Sequence, residues 1–148
     1  MDDLSIQEIE DLTRSKKRFL KRYRKINERT RRLVRKLALL EDRIKSIKSP
    51  SLSGMPRGGV PVTIDDLMSD KLDLEDRIKR LKDKGRGLKR EICEEIDSLE
   101  DPRYCEVLEM FFIDCLDFGD IAEELGYSER HVISLYSEAI EILSLRDQ

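Results

Sequence analysis

From Ile9 to Ile47 the apolar residues recur at alternating steps of three and four: Ile9, Leu12, Phe19, Tyr23, Ile26, Leu33, Leu37, Leu40, Ile44 and Ile47. Only Lys16 and Thr30 interrupt the series. A mean step of 3.5 residues keeps one seam turned toward a partner helix, whereas an isolated helix drifts at 3.6. Lys, Arg and Glu fill most of the other positions and suit a face in water. The stretch predicts a long helix that packs along a second one.

Residues 49–62 hold three prolines and three glycines, punctuation that ends a helix and predicts a loop. A second series follows at the same spacing: Ile64, Leu67, Leu74, Ile78, Leu81, Leu88, Ile92 and Leu99, interrupted by Lys71, Gly85 and Glu95. The loop is long enough for the chain to reverse, so the two helices are expected to pair antiparallel. Centring the hairpin on the loop makes facing residue numbers sum to 111. Leu37 then meets Leu74, Phe19 meets Ile92, and Lys16 meets Glu95, so that two charges on apolar seams face each other. Gly85 and Gly87 each cost a helix about 1 kcal/mol relative to Ala, which predicts a kink or break there. The same seams also suit a homodimer paired through these helices.

At Asp101-Pro102 the long helix is expected to give way, because proline disfavours helix in the residue before it and suits the first turn of a new one. Tyr104, Val107, Leu108, Phe111 and Phe112 then fall on one face. Asp117 can cap a short helix burying Phe118, Ile121, Ala122 and Leu125; Gly126 permits a sharp turn; Ser128 can cap a last helix. That helix buries Val132, Tyr136, Ala139, Ile140 and Leu143. Helix, three-residue turn and longer helix make a helix-turn-helix. The reading is an all-α chain: a long antiparallel, coiled-coil-like hairpin over 1–100 with its loop at 49–62, then a small three-helix domain over 101–148. So small a domain is marginal alone and is expected to dock on the hairpin through Ile96 and Leu99.

Ile121, Ala122, Leu125, Gly126, Ser128, Val132 and Ala139 follow the pattern by which region four of bacterial sigma factors resembles this stretch, and the similarity extends back over 101–116. The whole layout is similar to small phage and prophage regulators of Gram-positive bacteria, the late-gene activators of RinA and ArpU type. The resemblance implies a transcription regulator acting on double-stranded DNA at promoters, with RNA polymerase or another regulator as a further partner.

Charge complicates this. The net charge is −3 over 148 residues, yet residues 1–48 carry sixteen basic against eight acidic side chains, and residues 101–148 carry three against twelve. Affinity for DNA comes largely from neutralising phosphates, so the C-terminal domain alone should bind weakly. On the outward face of the last helix, Ser128, Arg130, His131, Ser134 and Ser137 are the expected DNA contacts. Lys17, Arg18, Lys21, Arg24, Lys25 and Arg32 are the expected auxiliary phosphate contacts. Glu129, Glu138 and Glu141 oppose them. The alternative is an adaptor that uses its acidic surface to hold a repressor, polymerase or sigma component. One histidine, no GxxxxGK loop and no nucleophile with its base argue against an enzyme. Cys93, Cys105 and Cys115 lack metal-ligand spacing and suit free thiols; neither metal nor cofactor is expected. With no apolar run long enough for a membrane and no signal-peptide layout at MDDLSIQ, the expected location is the cytoplasm.

Overall fold

A computed structural model describes residues 4–48 and 63–146. The loop expected over 49–62 lies outside the described residues. Among the described residues five helices follow in order: α1 (Ile6–Lys48), α2 (Ile64–Asp97), α3 (Pro102–Phe112), α4 (Phe118–Leu125) and α5 (Glu129–Arg146). The described residues contain no strand, and the chain has the all-α fold that its periodicity predicts.

Every helix starts where a short polar side chain takes up a backbone N–H that the first turn leaves unpaired. Ser5 and Glu8 do so reciprocally: Ser5 Oγ accepts from the Glu8 amide at 3.2 Å, and the Glu8 carboxylate accepts from the Ser5 amide at 2.8 Å. Thr63 accepts from the Asp66 amide at 3.2 Å, Asp101 from Arg103 at 2.9 Å, and Asp117 from Asp120 at 2.8 Å. Ser128 accepts from the His131 amide at 3.1 Å. Such caps contribute about 1 kcal/mol each. Pro102 opens α3, where its missing N–H costs nothing.

The described contacts form two compact units, one of Ile26–Lys84 and the other of Met1–Lys25 with Gly85–Gln148. In the first, Leu33, Leu40 and Ile44 of α1 and Leu67 and Ile78 of α2 are buried. Leu40, Ile44 and Leu67 cluster with Met68 and Leu74, and Lys71 Nζ lies 3.9 Å from the Glu41 carboxylate. Ile44 and Leu67 fall on the sum of 111.

In the second unit Lys16 and Glu95, on the same sum, form an ion pair. The break expected at Gly85 and Gly87 does not form: α2 is helical throughout. Gly85 is itself buried, and burial of the neighbouring Leu88, Ile92 and Ile96 outweighs about 1 kcal/mol per glycine. α5 packs on both α3 and α4, with Val107, Leu108, Phe112, Ile121, Val132, Leu135, Ile140 and Leu143 inside. Phe111 stacks on Phe118 at 4.8 Å and meets Phe112 and Tyr136 edge-on at 4.9 and 5.1 Å. The expected docking through Ile96 and Leu99 is present. Both are buried, and the Cys105 thiol donates to their carbonyls at 3.4 and 3.3 Å.

Leu20 was not on the expected seam, yet it is fully buried. With Thr13, Lys17 and Arg24 it forms a second stripe of α1. Lys17 Nζ lies 5.7 Å from the Tyr136 ring centroid, and Arg24 donates to the carbonyls of Phe111 and Leu116 at 3.0 and 3.4 Å while resting on the Phe111 ring. The start of α1 therefore touches α2 with one face and the C-terminal helices with another.

Candidate nucleic-acid interface

The site is built from the turn between α4 and α5. Gly126 has φ +71° and ψ 29°, a left-handed conformation that a side chain disfavours, and its amide and that of Tyr127 both bond to the Ala122 carbonyl. A Cβ at this position would meet nothing within 4 Å, so the backbone angle alone calls for glycine. Two residues later Ser128 caps α5, and its carbonyl accepts the first bond of the helix from Val132 at 3.1 Å.

This geometry turns one face of α5 inward and the other out. Val132, Leu135, Tyr136, Ala139, Ile140, Leu143 and Ser144 are buried. Ser128, Arg130, His131, Ser134 and Ser137 are all exposed, as are Glu129, Glu138 and Glu141. Ser128 Oγ accepts the His131 amide, which leaves its hydroxyl proton to be donated elsewhere. The His131 ring meets Tyr127 edge-on at 4.8 Å. Ser137 differs from the others. With Glu141 it borders a cavity of about 410 Å³ that Thr13, Arg14 and Lys17 of α1 also line. Ile133, outside the expected contacts, is 41% exposed between Arg130 and Ser134. Its signal was an isoleucine off the buried stripe of α5.

The auxiliary cations do not share one fate. Arg18 and Lys25 are exposed; Lys21 and Lys17 are half-buried, the latter beside Tyr136. Arg24 is engaged by two carbonyls and a ring of its own protein. Arg32 is exposed in the other unit.

The acids of α5 are partly answered within the protein. Glu138 accepts a hydrogen bond from the Tyr104 hydroxyl at 2.8 Å, which holds that phenol above its ordinary pKa. Glu141 shares its cavity with Arg14 and Lys17. Burial raises the Tyr136 phenol in the aromatic cluster and the thiols of Cys93 and Cys105. Among the described residues no three His, Cys, Asp or Glu side chains converge as metal ligands, and no helix is long and apolar enough to cross a membrane.

The family model DUF1492, described as a protein of unknown function, matches residues 46–144, more than half of the chain. The chain belongs to the DUF1492 family. No curated protein and no solved structure matches it. In this DUF1492 chain the matched stretch takes in α2 through α5, so it includes the turn at Gly126 and most of α5.

Proposed function

We propose that the protein is a sequence-specific DNA-binding regulator of transcription that places the first two turns of α5 in the major groove. One observation carries the reading: the capped turn at Gly126 leaves Arg130, His131, Ile133 and Ser134 exposed while α3 and α4 hold the opposite face of the helix. A major groove about 12 Å wide admits an α-helix, and side chains near its start reach base edges. In this arrangement the Arg130 fork suits guanine's two acceptors. His131 and Ser134 offer shorter hydrogen bonds, and Ile133 an apolar surface for a thymine methyl. Arg14 and Lys17, which line a cavity with Glu141, offset part of the acidity beside α5, and the exposed Arg18 and Lys25 add cations for phosphates. The resemblance to phage late-gene activators supports promoter DNA as the target and the cytoplasm as the place of action.

A second reading has its own support. Three basic side chains against twelve acidic ones over 101–148 suit a basic protein surface better than a polyanion. In that case the protein is an adaptor for polymerase, a sigma component or a repressor.

Fragments of the genome that encodes the chain, titrated with full-length protein at rising salt, separate the two. The DNA reading expects one fragment to be preferred and Arg130→Ala to lower that preference about tenfold to a hundredfold, as loss of one bidentate base contact does. Arg18→Ala should weaken all fragments alike. Absence of binding above background at low salt would transfer the case to the adaptor, to be tested next by capture of polymerase subunits.

A further inference from the structure

Within the unit Ile26–Lys84 the helices are complementary in charge at one place and not at another. Lys71 of α2 meets Glu41 of α1 at 3.9 Å. Nearer the start of this unit's α1 segment, a cavity of about 360 Å³ is lined by Arg29 and Arg32 of α1, Arg77 and Arg80 of α2, and the apolar Leu33 and Leu81. Arg80 is ion-paired to Asp76, one turn earlier on α2, but no acid lines the opening itself. Paired helices ordinarily set opposite charges on the edges of their seam, because like charges there repel. Four guanidinium-bearing side chains around one opening therefore weaken the pairing unless an anion joins them.

The chemistry of that anion follows from the layout. Arg77 also lines an adjoining cavity of about 630 Å³, where Lys36 and Arg43 lie on α1 and Asp70 and Asp73 on α2. Arg29, Arg32, Lys36 and Arg43 succeed one another at steps of three, four and seven, so they form one stripe of α1. At 1.5 Å per residue the stripe is about 21 Å long. A point ion needs one guanidinium fork; a stripe suits a polymer with charge at a regular pitch. A DNA strand carries one phosphate per ~3.4 Å of axis, roughly six over that length, and each is a bidentate partner for arginine.

We propose that this basic stripe, together with Arg77 across the opening on α2, binds the sugar–phosphate backbone of a nucleic-acid duplex without regard to sequence. The inference rests on the proposed DNA reading for the kind of polymer, but it uses no residue of α5, so the two can fail separately.

The test is a salt titration of full-length protein by fluorescence anisotropy on a random-sequence duplex and on the preferred fragment. For Arg29→Gln/Arg77→Gln the slope of log affinity against log salt should become shallower by about two. Affinity for both duplexes should fall by the same factor, leaving their ratio unchanged. Arg130→Ala should change the ratio and leave the slope nearly alone. Arg29→Lys/Arg77→Lys keeps the charge and should keep the slope, which a merely structural role would not require. Thermal melting by circular dichroism should show the Gln variant no less stable than the parent, since the substitution removes repulsion. A Gln variant with parental slope and affinity overturns the inference while leaving the α5 reading in place. A stripe-dependent slope with no preferred fragment supports the inference and removes the α5 reading. Binding of tripolyphosphate or polyglutamate without binding of duplex overturns it in favour of a free polyphosphate or an acidic peptide.

Discussion

Lys16 lies on a seam of leucines and isoleucines with only 7% of its side chain exposed, and Glu95 compensates its charge there. Removing one partner of a buried pair strands the other's charge at about 3–5 kcal/mol, whereas replacing both with apolar residues of similar size is often neutral. Glu95 keeps 23% exposure, so Glu95→Gln is expected to cost somewhat less, about 2–4 kcal/mol in urea denaturation. Lys16→Met/Glu95→Leu should recover nearly all of it. The pair was legible in the sequence because each charge interrupts an otherwise apolar period and their numbers meet across the loop. Arg24 was not legible: nothing in RSKKRFLKRYRK separates it from its neighbours, and only the proximity of the Phe111 ring and two carbonyls sets it apart.

The thiols and the buried phenol give the residue scale a pH signature. Burial raises Cys93 and Cys105 above the ordinary thiol value of 9.0, and Tyr136 above 10.0. Each group is protonated more readily in the folded chain than in the unfolded one. Their contribution is therefore complete at neutral pH, begins to fall as pH reaches the unfolded values, and is lost as pH rises through the folded ones. Denaturant midpoints measured from pH 7 to 10.5 should decline over the upper part of that range. Alkylation of Cys93 and Cys105 by iodoacetamide at pH 7.5, followed by mass spectrometry, should be slower than that of a free cysteine peptide. Equal rates would show that these thiols are not held in their protonated form.

At the scale of elements, the α4–α5 turn depends on one backbone angle and one cap. Gly126→Ala forces a Cβ into the left-handed region at about 1–2 kcal/mol, and Ser128→Ala removes a cap worth about 1 kcal/mol. Thermal denaturation should rank the first as the more damaging. If Ala at 126 is neutral, the turn does not hold the geometry described. This turn was readable from DFGDIAEELGYSER because caps and left-handed positions are local, determined by residues within one turn of each other. The expected break at Gly85 failed for the opposite reason, since propensity sums local preference while tertiary burial of Leu88, Ile92 and Ile96 overrides it. Leu20 carries no such signal, because it is the one buried residue of a stripe whose other members, Thr13, Lys17 and Arg24, are polar and half-buried, and a single apolar residue leaves no period to detect.

For the whole molecule, burial is unequal between the two compact units. Leu20, Ile92, Val107, Leu108, Phe112, Ile121, Val132 and Ile140 are wholly buried in one, while in the other Leu33 and Leu67 come nearest, at 2%, and Ile26, Thr30, Leu40, Ile44 and Ile78 each keep 6–9% exposure. Native-state hydrogen exchange should accordingly release amides of Ile26–Lys84 before those of α3, α4 and the middle of α5. Simultaneous release would mean that the chain unfolds as one cooperative body.

The sequence by itself determined where the helices of the described residues lie, the starts of α3, α4 and α5, and the register that puts Ile44 with Leu67 and Lys16 with Glu95. These depend on period, on caps a few residues away, and on a sum of residue numbers. Only the tertiary structure decided what each arginine does. Arg18 is exposed, Arg24 is held against Phe111, and Arg29 lines an opening with three other arginines. A sequence counts charges, but the direction of a side chain and the company it meets are set by packing between segments far apart in the chain.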